Sequence, residues 1–380
     1  MDAPEYSSLL AALREVPDPR RARGRRHAWD LILTVLAGAL ASGQRSVRAI
    51  GQWADERAEE LVALLRPAGG RLPSVATLRR ALRAVDVAAL ERQVARFGQG
   101  VPRRPAAARW KGQAVDGKAV RGAAAHGAPV HLVSRVRHAD GVTLGQVRVA
   151  AKSNEITAVP ALLAGQDLAG VVVTMDALLT QRDLAAQIRR QRGHYLLVVT
   201  RNQPGLYEAI AELFAAPPPP LAADALATAV TVGKGHGRLE RRTLTRSAAL
   251  NADLAWPDVG QVLRRHYRAV DLATGKIRQE VRYALTSLRP AEATPAQLEA
   301  LWRGHWTIEN RVHYVRDVTL GEDAGQQRAG HAPQALAALR NGVLALVRRA
   351  GWASVADALR HYGAYAPRAL ELLGALPAQL

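Results

Sequence analysis

Three carboxylates occupy positions where they could do chemistry: Asp116 in "AVDGK", Asp176 in "TMDALLTQRD" and Glu309 in "HWTIENRVHYVRD". Asp116 is flanked by apolar residues in a strand-like run, so its side chain leaves the middle of a sheet, where a lone carboxylate is expensive to bury. Asp176 closes the buried-strand pattern "GVVVTMDA". It should therefore stand at the carboxyl end of a parallel strand, where open α/β sheets present ligands. A single strand-end aspartate commonly caps a turn, but two on neighbouring strands suit a divalent cation. Magnesium takes octahedral oxygen ligation from a few carboxylates, water and phosphate. Two such ions about 3.5 to 4 Å apart stabilise the attacking and leaving oxygens of an in-line phosphoryl displacement. That arrangement needs a third carboxylate, and Glu309 supplies it.

Glu309 lies in a segment read as one long helix over about 294–314. Trp302, His305, Trp306, Glu309, His313 and Arg316 recur there at three- and four-residue steps, along one stripe. A helix face laid across a metal site and a DNA strand would use Glu309 for the metal, and His305 and Arg316 for phosphate. Trp302 or Trp306 would pack, or stack on a base. The competing reading is an interhelical salt-bridge network. A zinc site from His305, Glu309 and His313 lacks the HExxH pattern. Lys118, two residues past Asp116, points to the same side of its strand and either reaches phosphate or lies open at the surface. Asn202 and Gln203 follow a strand and either contact DNA, orient a water or build a turn. Asn154 and Glu155 are read as caps of the next helix.

The chain has 380 residues, 48% of them hydrophobic, and a formal net charge of +19. This length fits two or three domains with proper cores. The excess charge is mostly arginine, the side chain best suited to bidentate phosphate contact, so nucleic acid is the first partner to consider. A GC-rich genome would also raise the arginine content. With no cysteine, disulfides, thiolate metal sites and a cysteine nucleophile are excluded. The start, "MDAPEYSSLL", lacks a signal-peptide pattern, and the longest apolar run, "LILTVLAGALASG" at 31–43, is too short for a bilayer. The expectation is a cytoplasmic, nucleoid-associated protein.

The elements that must position these residues read as follows. Residues 1–105 are expected to be an all-helical DNA-binding domain. Within it "PDPRRARGRRH" places Arg20, Arg21, Arg23, Arg25 and Arg26 in a proline-broken loop, a phosphate clamp or a solvated turn. "PSVATLRRAL" resembles the start of a recognition helix, with Thr77, Arg79 and Arg80 near its N-terminus. After a linker at 101–110, residues 106–215 read as three strands, helix, strand, helix, strand, helix, with the turn "HADG" making the second and third strands a hairpin. A proline run, Pro217–Pro220, opens a β-rich stretch at 216–290, and residues 291–380 return to helix.

These motifs together resemble a DDE transposase, and more narrowly the H-repeat-associated, ISAs-type insertion-sequence transposases related to the IS-four group. The resemblance rests on "VDGK", "TMDALLTQRD" and "HWTIEN", and continues through "VPDPRRARGRRH", "HYLLVVTRNQPGLYEAI", "GHGRLERRTL" and "HYVRDVTLGED". It implies an α/β RNase H-like core, a mixed sheet with flanking helices, interrupted by a β-rich insertion and preceded by the helical domain. It also implies that Asp116, Asp176 and Glu309 form the catalytic triad and hold two Mg²⁺ ions, which Mn²⁺ can replace. Where the broader group carries Y-x2-R-x3-E-x6-K, this chain has Trp302, His305, Glu309 and Arg316. It has Leu179 and Arg201 where histidine and lysine are common. The implied reaction is cleavage of double-stranded DNA at transposon ends and strand transfer into target DNA by a homodimer. The alternatives are an inactive or domesticated DNA-binding derivative and an RNase H-like DNA nuclease.

Overall fold

A computed structural model describes residues 6–23, 25–102, 109–125, 128–151, 153–216, 226–235 and 237–377. The middle of the expected linker and the Pro217–Pro220 run lie outside the described residues. In chain order the helices α1 (Leu9–Arg14), α2 (Trp29–Ala41), α3 (Val47–Glu56), α4 (Ala58–Leu65), α5 (Val75–Ala84) and α6 (Val87–Gly100) come first. Next are β1 (Lys111–Ala125), β2 (Ala128–Arg137), β3 (Thr143–Arg148), α7 (Glu155–Leu163), β4 (Val171–Met175), α8 (Arg182–Arg190), β5 (His194–Val199) and α9 (Pro204–Ala215). Strands β6 (Ala227–Gly235), β7 (Arg238–Ser247), β8 (Gln261–Asp271) and β9 (Ile277–Thr286) follow, then α10 (Pro295–Gly304). After two π-helical segments, Glu309–His313 and Val315–Thr319, the chain ends in α11 (Ala332–Arg349), α12 (Val355–Ala364) and α13 (Ala366–Leu373).

Contacts divide the chain into two compact units. One comprises Met1–Pro105, Gly117–Ala158 and Thr307–Leu380, the other Ala106–Asp116 and Val159–Trp306. In the first, α2 is apolar around nearly its whole circumference and is buried along its length. Such a helix can only sit at the centre of a core. There it packs with α1, α3, α5 and α11–α13. Side-chain caps start these helices: Ser8, Ser46, Ser74 and Asp86 each accept from the backbone N–H three residues on. Asp86 also explains a break: α5 ends at Ala84, and the Asp86 carboxylate caps the start of α6. α3 and α4 likewise meet at Arg57.

Strand pairing runs β3-β2-β1-β4-β5-β9-β8-β7-β6. The expected hairpin is present as the antiparallel pair β2–β3, and β1–β4 and β4–β5 are parallel, as the crossover pattern predicted. The β-rich stretch joins the same sheet. β9 pairs antiparallel with β5, from Leu196 with Thr286 to Val199 with Tyr283, and β8, β7 and β6 add in turn. The four strands of this stretch thus continue the sheet from β5. Leu244, Leu263 and Ala284 share one apolar cluster with Val172, Leu196, Leu298 and Trp302. No helix among the described residues is long and apolar enough to cross a membrane.

Candidate functional site

Asp116 and Asp176 stand side by side. The parallel register of β1 and β4 pairs Val115 with Met175, and each aspartate is the next residue of its strand run. Residues opposite one another in a register project to the same face, so the two half-buried carboxylates share a face at the carboxyl end of β4. Asp176 is held by its own loop. Its Oδ1 accepts from the backbone N–H of Leu179 at 3.1 Å, and its carbonyl accepts from Thr180 Oγ1 at 2.9 Å.

The polar residues after β5 serve that loop. Asn202 Nδ2 donates to the carbonyl of Ala177 at 2.8 Å, and Gln203 Nε2 donates to the carbonyl of Thr180. Both side chains are engaged in bracing the Asp176 turn, so of their sequence readings the turn-building one describes this arrangement. Thr180, which the sequence reading missed, also reaches the carbonyl of Val198 at 2.6 Å and ties the loop to β5. The departures at 179 and 201 have local roles: Leu179 is fully buried, and the Arg201 guanidinium lies 5.5 Å from the Tyr207 ring.

The long helix expected over 294–314 is interrupted. α10 begins with a capping box between Thr294 and Gln297 and ends at Gly304, where His305 and Trp306 form a turn. The stripe from Trp302 to Arg316 is therefore not one α-helical face, and its members separate in role. Trp302 is 2% exposed and has the Arg265 guanidinium 4.9 Å from its ring, so it packs and cannot stack on a base. His305 Nδ1 lies 3.0 Å from Thr174 Oγ1, two residues before Asp176 on the face that the aspartates share. Trp306 is 47% exposed.

Beyond the turn, the π-helical segment Glu309–His313 brings His313 Nδ1 to 3.2 Å from Glu309 Oε2. The hydrogen bond from His313 is the main influence holding the Glu309 carboxyl below its ordinary value, helped by Lys118. Burial pushes the His313 pKa down, and the nearby Arg316 and Lys118 reinforce it against the pull of Glu309. These opposite environments favour a hydrogen bond from a neutral ring to the carboxylate over a full ion pair.

Arg316 corrects an expectation. It is fully buried, and its guanidinium bonds Glu322 at 2.6 Å and Gln146 at 3.2 Å. A group without solvent access has no route to phosphate in this fold, and the salt-bridge reading of the stripe holds for this residue. Glu322 also takes Arg340 at 3.3 Å. Burial raises the Glu322 pKa, but Arg316 and Arg340 outweigh it and hold the carboxyl low. Lys118 is no surface lysine either: it is 8% exposed and bonds Asp317 at 2.7 Å, with Asp323 at 3.9 Å. The motif "HYVRDVTLGED" thus supplies both ends of a buried charge network, and its acids Asp317, Glu322 and Asp323 were not singled out in the sequence. Nor was the orientation of Glu155, the first residue of α7. A Cβ built on Gly117 would lie 2.0 Å from Glu155 Oε1, so that carboxylate rests against the strand beside Asp116.

In the arginine loop, Arg20 is half-buried. It bonds Asp18 at 2.8 Å and the carbonyl of His27 at 2.8 Å, and lies over the Trp29 ring at 5.3 Å. Arg25 bonds the carbonyl of Arg20 at 2.8 Å, whereas Arg21, Arg23 and Arg26 are exposed.

The chain matches two family models in succession: "DDE_Tnp_1-associated" over residues 10–97 and "Transposase DDE domain" over residues 98–346. Among similar proteins, "Putative transposase YncI" of Escherichia coli O157:H7 is 28% identical over 90% of this chain and 87% of its own length. "H repeat-associated putative transposase YhhI" of Escherichia coli K12 is 30% identical over 56% of each chain. A third, "H repeat-associated putative transposase YbfD" of the same strain, is 39% identical over 22% of this chain and 34% of its own length. The larger of the two models covers well over half of the chain, and the chain belongs to the DDE transposase family.

Proposed function

We propose that this chain is an active insertion-sequence transposase that cuts double-stranded DNA at transposon ends and joins the freed ends to target DNA. The observation that carries the reading is the adjacency of Asp116 and Asp176, one residue past a parallel register pair and on one face. Asp116, Asp176 and Glu309 are its catalytic carboxylates and its metal ligands. They suit Mg²⁺: all three keep solvent access, carboxylate oxygens are the donors that this hard cation prefers, and His313 favours the ionised form of Glu309. Mn²⁺ substitutes.

When bound, the metal pair supplies an activated water and charge neutralisation for in-line displacement at phosphorus. The chain's own residues do the positioning. Asp176 is fixed through Thr180, Asn202 and Gln203, which leaves one carboxylate edge open. His305, held 3.0 Å from Thr174 Oγ1 beside the aspartate face, is the histidine of the site nearest the phosphate path. Trp306 presents an open ring for stacking on a displaced base, and exposed arginines of the 17–27 loop hold the phosphate backbone. Residues 1–105 provide the helical DNA-binding part, and the RNase H-like core runs through 106–215 and 291–380. The working form on DNA is a homodimer, and the site of action is the cytoplasmic nucleoid.

The test is Mg²⁺-dependent cleavage of a labelled duplex carrying the element's own end. Wild type should cut, while Asp116→Asn, Asp176→Asn and Glu309→Gln should bind the duplex and leave it intact. A wild type that binds but never cuts in Mg²⁺ or Mn²⁺ would make the chain a DNA-binding derivative.

A further inference from the structure

The N-terminal helices enclose a cleft of about 570 Å³ between the loop before α2 and the start of α5. Arg20, Arg23 and Arg26 line it from the loop, and Arg71 and Arg80 from the opposite side. Five guanidinium groups around one space repel one another unless an anion joins them. The acid of that loop, Asp18, is already engaged by Arg20 at 2.8 Å and Arg25 at 3.3 Å. Among the described residues, no carboxylate is within ion-pairing distance of Arg23, Arg26, Arg71 or Arg80.

The rest of the lining has the same bias. Ser74 caps the N-terminus of the ten-residue α5 by accepting from the Thr77 backbone N–H, and its hydroxyl lies 3.2 Å from that of Thr77. Unpaired backbone N–H groups and the helix dipole add positive potential there. Arg80 bonds Thr77 Oγ1 at 3.3 Å and is drawn over that end of the helix. His27 also lines the cleft, is only 7% exposed, and its ring hydrogen-bonds the backbone of Arg71, which ties the loop to the opposite wall.

We propose that this cleft is a phosphodiester pocket. It seats the backbone of duplex DNA, with the loop arginines and Arg71 and Arg80 as walls and the start of α5 as floor. The assignment rests on the transposase reading, but it makes a different statement about α5: its first turn grips phosphate, so it sets register and does not itself read bases. Arg71, separated from the arginine run by more than forty residues of sequence, becomes part of the same site.

The test uses the full chain and fluorescence anisotropy with a labelled duplex of the element's end and a second, unrelated duplex, across about 50 to 200 mM salt. Arg23→Ala, Arg71→Ala and Arg80→Ala should each flatten the slope of log affinity against log salt by about 0.9, and should weaken both duplexes alike. Arg80→Lys should restore most of the slope. Arg92→Ala, which removes an equally exposed charge from α6 outside the cleft, should leave it unchanged. If Arg92→Ala flattens the slope as much as the cleft variants, diffuse charge explains binding and the pocket is overturned. In a parallel arm, inorganic phosphate replaces chloride at constant ionic strength in thermal unfolding. Stabilisation of wild type and not of Arg71→Ala supports the pocket; equal stabilisation of both overturns it. Should wild type bind neither duplex while phosphate still stabilises it through Arg71, the DNA reading fails and the anion pocket stands. Cleavage and duplex binding with full slope in the cleft variants would instead sink the pocket and leave the transposase reading intact.

Discussion

His313 Nδ1 lies 3.2 Å from Glu309 Oε2, and the two residues differ sharply in environment: the ring is buried, while the carboxylate side chain is half open to solvent. The buried ring cannot move away, so it fixes where the open carboxylate points. Replacing His313 with Phe removes the interaction that does most to keep the Glu309 pKa low. That pKa should rise, so the acidic limb of the pH–rate profile for DNA cleavage should move to higher pH. Metal-dependent activity should fall about 10- to 100-fold, the usual loss when a group that orients a ligand is removed. Because the carboxyl is depressed in the fold, its modest stabilisation is present above about pH 4.5 and lost as pH falls below it. An unchanged acidic limb would show that His313 does not set the ionisation of Glu309.

Gly117 and Glu155 form a second coupled pair. A side chain at 117 would meet the Glu155 carboxylate, with its three end atoms 2.0 to 2.4 Å from the new Cβ. The obstacle is the far end of a flexible side chain, so Gly117→Ala should displace Glu155 without unfolding the strand. We expect cleavage to drop by at least about tenfold in Gly117→Ala, with metal-independent DNA binding preserved. Adding Glu155→Ala should relieve the strain and recover thermal stability. A double-mutant cycle with no coupling between the two positions would show that the carboxylate does not rest on that glycine.

What was readable in the sequence follows from the range of the interactions involved. β4 and β5 announce themselves as short apolar runs bounded by turns, and Asp176 follows directly from where β4 must stop. The β1–β4 pairing was legible because a strand, crossover, strand pattern leaves few parallel arrangements. By contrast, the three- and four-residue steps of an α-helix run through "HWTIENRVHYVRD" with no residue that marks the turn at His305 and Trp306 or the change to π-helical pairing beyond it, so nothing there separated the face carrying Glu309 from that carrying Trp302. The burial of Arg316 depends on Gln146, Glu322 and Arg340, of which only Glu322 is a sequence neighbour. Asn202 and Gln203 were recognisable as polar groups at a strand end, but whether such groups face a ligand or a loop depends on a carbonyl more than twenty residues away.

The two tryptophans of the interrupted stripe should separate cleanly by experiment. Trp302 is buried in an apolar cluster beneath Arg265. Its replacement by Ala should cost about 3 to 5 kcal/mol of stability, read as a lower urea midpoint. Trp306 is about half exposed, and Trp306→Ala should leave that midpoint within about 0.5 kcal/mol of wild type. The same substitution should weaken binding to a duplex with a single-stranded end by about 1 to 3 kcal/mol, the value of one base stacked on an aromatic ring. Equal loss of stability in both variants would contradict the division of roles.

Glu91 offers a pH-dependent test of the core. Burial pushes its carboxyl up from 4.5 to about 7, although the amides of Gln146 and Gln334 donate to it at 2.8 and 2.9 Å. A carboxyl raised in the fold binds its proton more tightly folded than unfolded, so stability falls as pH rises from about 4.5 to about 7 and then levels off. The full span is worth about 3 kcal/mol as an upper figure. Glu91→Gln keeps an acceptor oxygen for the two amides and cannot ionise. Its urea midpoint should therefore match wild type near pH 5 and exceed it near pH 8. Parallel curves for the two proteins across that range would mean that Glu91 titrates as an ordinary carboxylate, and that the polar network joining Gln146, Asn341 and Arg316 tolerates its charge at no cost.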